Sequence, residues 1–239
     1  MRETRDIGAD VPGWRPPRRP AGAALAGRYA ELEPVSAGAH AAALYRAYAV
    51  SDATWTYMPY GPFASADVYR DWVQETTAGD DPLFYAVRNR DSGQWEGAAS
   101  YLRIAPEAGS IEVGHIAFSP ALQRTRAATE AMFLMMRWAF KAGYRRYEWK
   151  CDARNLASRR AAERLGLSFE GVFRQAAVVK GRNRDTAWFA AIDAEWPALE
   201  AAFTAWLDPG NFDDAGRQRV RLGDLTGPVR VTDDPALKR

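Results

Sequence analysis

Cysteine occurs once in this chain of 239 residues, at Cys151, so no disulfide can close within it. Histidine is nearly as scarce: only His40 and His115 are present, too few for a structural zinc site of the usual Cys and His composition. No stretch approaches the roughly 18 consecutive apolar residues that a membrane-spanning helix needs. The opening MRETRDIGAD lacks the apolar centre of a secretory signal. An excess of one charge is missing as well, because 32 basic residues stand against 30 acidic ones. Lysine is reduced to Lys141, Lys150, Lys180 and Lys238, and the arginines are not clustered with aromatic residues as a nucleic-acid surface requires. These absences lead us to expect a cytoplasmic protein with no metal, no nucleic-acid partner and no membrane partner. With 47% hydrophobic and 26% charged residues, the rest of the composition is that of a globular protein large enough for its own core.

The chain divides into an extended arm over residues 1–27, a main domain over 28–207 and a polar tail over 208–239. The arm contains VPGWRPPRRPAG, whose prolines fix φ and remove donors. Residues 28–35 alternate as a first strand, and 37–50 form an Ala-rich helix with Leu44, Tyr45 and Tyr48 on one side. An aromatic loop, WTYMPYGPF at 55–63, is kept irregular by Pro59, Gly61 and Pro62. Ser65 then caps a helix that turns Tyr69, Trp72 and Val73 inward. Strands at 82–90 and 94–104 meet at Asp91-Ser92-Gly93, a hairpin signal.

A strand beginning IEVGHIAFSP at 111–120 runs through a turn into a helix over 126–142. Its apolar positions, Ala127, Ala131, Leu134, Met135, Trp138 and Ala142, fall on one face. Gly143 suits the left-handed C-cap. The strand at 145–151 alternates Tyr147, Trp149 and Cys151 with Arg146, Glu148 and Lys150. A helix at 155–165 ends at Gly166. Strand, helix, strand in this order is a right-handed crossover joining two parallel strands. A second hairpin is expected from 169–179 and 186–193 around residues 180–185, followed by a helix at 196–207 with Pro197 in its first turn. The fold class is α/β: a mixed sheet with a central parallel pair and helices on both faces.

At the turn Gln123, Arg124, Thr125, Arg126, Ala127, Ala128, backbone N–H groups and the positive end of a helix dipole converge, an arrangement that binds phosphate. His115 could take a proton at neutral pH, although a lone His on an apolar strand is more often packed core. Cys151 at the end of a buried strand reads as core rather than nucleophile. Trp55, Tyr57 and Tyr60 are either core plugs or one wall of a binding site. Arg174, Arg182 and Asp185 are placed to read a substrate's charge.

The turn, the later helix and their spacing resemble the GNAT N-acetyltransferase superfamily. Its acetyl-CoA loop reads Q-x-x-G-x-[GA] and is followed some thirty residues later by an Asn-x-x-Ser helix and Gly-Phe. Gln123, Ala128, Asn155, Ser158 and Gly166-Leu167 stand in register, and Arg126 replaces the family's central Gly. Within the superfamily, Glu112-Val113-Gly114-His115 looks like the Glu-Ile-Gly-Tyr strand of the ribosomal-protein (Rim-type) N-terminal acetyltransferases. The resemblance implies acetyl-CoA as co-substrate and a primary amine as acceptor, with transfer by direct attack on the thioester. It further implies Glu112 as base, with a basicity raised by aromatic desolvation. Ile116, Ala117 and Phe118 would offer N–H groups to the carbonyl, and Ser158 would serve as acid for the thiolate. The family's usual Tyr is Ala162 here. A second reading is a non-catalytic acyl-CoA sensor. The charged face of Arg146, Glu148 and Lys150, together with the arm and tail, raises the expectation of a homodimer.

Overall fold

The computed structural model describes residues 8–238, so the first seven residues of the expected arm and Arg239 lie outside the described residues. In chain order the elements are β1 (Leu25–Ala26), β2 (Ala30–Pro34), α1 (Ala37–Tyr48), α2 (Ala66–Thr76), β3 (Leu83–Asn89), β4 (Gln94–Ala105) and β5 (Ser110–Phe118). There follow α3 (Arg126–Lys141), β6 (Arg146–Asp152), α4 (Leu156–Arg164), β7 (Ser168–Val179), β8 (Arg182–Ile192), α5 (Trp196–Leu207) and the short α6 (Leu222–Thr226). Among the described residues eight strands make one sheet in the order β1-β2-β3-β4-β5-β6-β8-β7, in which β5 and β6 are the only parallel neighbours, so the expected mixed α/β fold is the one that forms.

Period-two alternation sorts the strand residues into two cores. On one face Tyr85, Val87, Ile111, Val113, Tyr147 and Trp149 pack against α3 and α5. On the other, Ala86 and Ala117 meet Leu44 and Tyr48 of α1 and Tyr69 and Val73 of α2. Helix α3 carries most of the larger core: Ala131, Leu134 and Met135 are at most 2% exposed, and each large side chain so buried stabilises by about 1.5–3 kcal/mol. Side-chain caps fix the helix starts, Ser36 on Ala39 N–H, Ser65 on Val68 N–H, Thr125 on Ala128 N–H and Asn155 on Ser158 N–H.

The second hairpin departs from the sequence reading, and the arm and the tail are more tightly placed than the sequence alone shows. The hairpin turns at Lys180 and Gly181 alone, both at positive φ, and Arg182, Asn183 and Arg184 pair with β7 rather than forming a loop, Asp185 falling in a register shift. Arg182 and Asn183 look like loop because they are exposed at the hairpin end. The arm lies along its own domain: Arg19 donates to Ile104 O at 2.9 Å, Tyr144 donates to Arg18 O at 3.3 Å, and Pro17 and Pro20 are buried. The tail straps α4, with Arg230 donating to Glu163 O and a buried bidentate pair between Arg159 and Asp234 at 2.5 and 2.6 Å. Arg146 pairs with Glu148 and Glu170, and Lys150 pairs with Glu148 and Glu112. The segments that suggested a partner copy therefore find their partners within the chain, which removes those grounds for a homodimer.

Candidate active site

The parallel strands pair from Ser110 opposite Arg146 to Val113 opposite Trp149 and no further. Beyond that point β6 stays with β8 as far as Asp152 opposite Thr186, while β5 follows β4 as far as Phe118 opposite Gly97. The strands thus part after Val113 and leave the β6-facing edge of residues 114–118 without a strand partner. Ile116 and Phe118 lie on this edge, whereas Ala117, opposite Ala98 and two residues from the Ser119 N–H that donates to Glu96 O, is turned to β4. At its far end the Gln123 amide donates to Phe118 O at 2.8 Å.

A bulge gives the opening its chemistry. Between the pairs Ser100 with Gly114 and Ala98 with Ala117, β5 advances one residue more than β4, and His115 takes up the extra length at φ +50°. The alternation is thereby inverted, so His115 faces the α1–α2 side, in a cleft lined by Tyr48, Trp55, Tyr60, Trp72 and Phe84. Its Nδ1 lies 3.0 Å from Tyr60 Oη, and the two rings stack at 5.6 Å. Burial, with Arg103 and Arg184 adding, lowers the His115 imidazole from 6.5 to about 4, so it is neutral at pH 7. Burial, with Tyr69 adding, pushes the Tyr60 phenol far above its ordinary value.

Glu112 lies on the same sheet face but not among aromatic rings. Arg103 Nη1 reaches both of its oxygens, at 2.9 and 2.8 Å, and Lys150 Nζ reaches Oε2 at 2.8 Å. It is 3% exposed, a carboxylate desolvated yet held by two cations rather than the isolated one expected. Arg103 is aimed by a second bulge, where its φ of +46° is braced by Asp81 accepting from the N–H groups of Arg103 and Ile104. Glu148 joins the chain of charges: burial pushes its carboxyl up, but hydrogen bonds from Arg146 and Lys150 outweigh this and hold it below the usual range.

On the other side of the opening, Thr125 caps α3 and Arg124 stands at φ +64°. The N–H groups of Arg124, Arg126 and Ala127 meet no acceptor among the described residues, as expected for a first helical turn. The Arg126 guanidinium is turned away, 4.7 Å over Tyr29 and 5.0 Å over Phe212, with Asp91 at 3.5 Å. What residue 126 offers this turn is its backbone N–H. Asn155 caps α4, and Ser158 Oγ accepts from Trp149 Nε1 at 3.0 Å beside Cys151. Burial raises the Cys151 thiol to about 11.

The aromatic loop closes one rim: Tyr57 donates to Arg154 O at 3.3 Å and Lys180 to Trp55 O at 2.9 Å. Trp55 itself is 4% exposed and plugs the smaller core, leaving Tyr60 as the loop residue that touches His115. Arg174 and Asp185 line a separate open depression on the β7–β8 hairpin, and Arg182 is exposed nearby. Asp185 braces a bulge there, where the Gln175 N–H and then the Asn183 amide hold its carboxyl below the usual range. Sequence reasoning missed Arg103, Arg184 and Trp188. Lys150 did give a signal, as a lysine alternating with buried aromatics on a central strand. Among the described residues no cluster of His, Cys, Asp and Glu could hold a metal, and no helix is long and apolar enough to cross a membrane.

Residues 30–168 match the acetyltransferase (GNAT) domain family. Over 91% of this chain and all of the other, the structure superposes on a GCN5-related N-acetyltransferase from Brucella melitensis, with 45% identity and a TM-score of 0.89. A Chromobacterium violaceum protein described as a GNAT-family acetyltransferase is 47% identical, with a TM-score of 0.76, over 80% of this chain and 96% of that one. RimL, a ribosomal L7/L12 alpha-N-protein acetyltransferase, shares the fold at a TM-score of 0.61 but is only 21% identical, over 71% of this chain and 94% of its own. No curated protein sequence matches. With the crossover and the parted strands in place, the chain belongs to the GNAT acetyltransferase family and is an acetyltransferase.

Proposed function

We propose that the protein transfers an acetyl group from acetyl-CoA to a primary amine, and that the parting of β5 from β6 is where transfer occurs. The observation that carries this reading is the coincidence of three unfilled features: the unpaired β5 edge, the free N–H groups at the start of α3, and His115 turned into an aromatic cleft between them. Arg124, Thr125, Arg126, Ala127 and Ala128 would hold the phosphates of CoA, with Gln123 fixing the turn to β5 and with Asn155 and Ser158 lining the opposite side. The bound thioester supplies the activated acetyl group. N–H groups of Ile116 and Phe118 on the open edge suit the carbonyl oxygen as it gains negative charge, while that of Ala117, named with them from the sequence, faces β4.

His115 is the base that the geometry favours over Glu112. In the tautomer whose Nδ1–H donates to Tyr60 Oη, the lone pair is on Nε2, which has no partner among the described residues; the base role requires that tautomer. A weakly basic imidazole suffices, because the amine nitrogen becomes strongly acidic as its bond to the carbonyl carbon forms. Glu112 then holds Arg103 and Lys150 in place, and the Ser158 hydroxyl is the donor for the departing thiolate. Trp55, Tyr57 and Tyr60 form the acceptor side, with Arg174 and Asp185 further out. A cytoplasmic location goes with this reading, and protein N-termini of the Rim type are one acceptor class to test.

Release of free CoA thiol from acetyl-CoA, measured across protein N-terminal peptides, amino acids, polyamines and amine antibiotics, tests the proposal. His115→Ala should lower kcat by about 10² or more with CoA affinity unchanged. Loss of activity in Glu112→Gln alone would transfer the role of base to Glu112. CoA binding with no thiol release from any acceptor would favour a sensor.

A further inference from the structure

Two buried donors on β8 have no acceptor. Arg184 Nε and Trp188 Nε1 are both cut off from solvent, and neither meets a hydrogen-bond partner among the described residues. Strand β8 pairs with β6 without a bulge from Ile192 to Thr186, so alternation puts residues 184, 186 and 188 on one side. Ala187 and Phe189, on the other side, lie in the larger core. The side of Arg184 and Trp188 is the one that carries Glu112 and Lys150: Lys150 stands opposite Trp188 in register, its ammonium 3.6 Å from the indole centroid. That contact occupies the face of the ring and leaves its N–H unused.

Burying an N–H without a partner is costly; Arg184 is half-buried as a residue, but its Nε is sealed. Other arginines here have partners: Arg146 has Glu148 and Glu170, Arg159 has Asp234, and Arg164 donates to Thr129 Oγ1 at 3.2 Å. Arg184 forms no ion pair among the described residues. The nearby acids are not free to serve it, since Glu112 is held by Arg103 and Lys150, and Asp185 accepts from Gln175 and Asn183. Its charge is nevertheless close enough to act on both His115 and Cys151, the two sides of the strand opening.

We propose that Arg184 is a specificity determinant that binds an oxyanion, a carboxylate or a phosphate group, carried by the acceptor amine, with the Trp188 N–H as a second donor further along the same face. The acceptor is then an amine with a negatively charged oxygen group, which the Arg184 guanidinium pairs with and desolvates while the amino group faces His115. This rests on the acetyl-transfer reading of the same site.

The test is binding, measured by calorimetry on the full chain saturated with CoA, of matched acceptors that differ in the oxyanion. Alanine, phenylalanine, aspartate and lysine are compared with their α-amides, and phosphoethanolamine with ethanolamine. At least one oxyanion-bearing member should bind about tenfold or more tightly than its neutral match, the ratio expected of a charge-assisted pair. The amino acid or the phosphoethanolamine arm then identifies the group. Arg184→Gln should abolish the difference and Arg184→Lys restore part of it, with CoA affinity, which reports folding, unchanged in both. Equal binding within every pair, no binding by any member, or a preference that survives Arg184→Gln would overturn the proposal. Oxyanion-dependent binding without thiol release would leave it standing and remove acetyl transfer instead.

Discussion

Replacing Asp234 by Asn tests whether the tail is part of the scaffold that holds the cofactor side of the site. Asp234 is fully buried and Arg159 is 5% exposed, and they meet through two hydrogen bonds at 2.5 and 2.6 Å. Such a pair adds little to stability relative to apolar residues of the same shape. Removing one partner is different, because it strands a buried charge at a cost of about 3–5 kcal/mol. Asn keeps the size but replaces one accepting oxygen with an NH₂ group facing the guanidinium. For a chain of this length each kcal/mol moves Tm by about 2–4 °C, so the melting temperature should fall by roughly 6–20 °C. The effect should also reach the site: Arg159 donates a third bond to Ala153 O at 2.6 Å, just before the Asn155 cap of α4, so CoA affinity should fall as well. Urea unfolding with and without CoA measures both. The double variant Arg159→Met, Asp234→Leu should recover most of the stability. A single-variant loss below about 1 kcal/mol would refute the reasoning, since it would mean that the guanidinium finds water or another partner at no cost.

Two further outcomes are expected. The His115 imidazole titrates near 6.5 when unfolded and near 4 when folded, so the unfolded chain binds the extra proton between these values. The stability it contributes is complete above pH 6.5 and is lost as pH falls toward 4, by about 3 kcal/mol in total; urea titrations of wild type and His115→Gln should diverge in that window and run parallel above it. Glu130 is buried and accepts from the N–H groups of Arg28, Tyr29 and Ala30 at 2.9, 2.5 and 2.7 Å, so Glu130→Ala should cost at least about 3 kcal/mol, roughly 1 or more per stranded donor. A loss within 1 kcal/mol in thermal unfolding would mean that water replaces the carboxylate.

Much of the fold is legible in local pattern. The alternation of Tyr147, Trp149 and Cys151 gives β6 its inward side, but α3 departs from the one-sided helix that its periodicity suggests: residues 127–136 are buried without a break, whereas Trp138 and Ala142, expected on the inner face, are only partly buried. Gly143 and Gly166 end their helices at positive φ as read. The site was harder to see because its chemistry depends on departures from period. Nothing in Gly114-His115-Ile116 announces a bulge, yet that one extra residue turns His115 from the larger core to the cleft. Glu112 was read from its neighbours in sequence, whereas its environment is set by Arg103 and Lys150 on adjacent strands. The partner of Asp234 lies 75 residues away. Arg182 and Asn183 look like a loop because both are exposed at the hairpin end, and the half-buried Arg184 next to them has no apolar alternation to mark it.

The central claim, that CoA binds where β5 parts from β6, is tested most directly by amide hydrogen exchange with and without CoA. The account predicts slowed exchange confined to two segments: the β6-facing N–H groups of residues 114–118, which have no strand partner, and those of Arg124, Arg126 and Ala127, which meet no acceptor among the described residues. Protection that appears elsewhere and leaves both segments unchanged would contradict it.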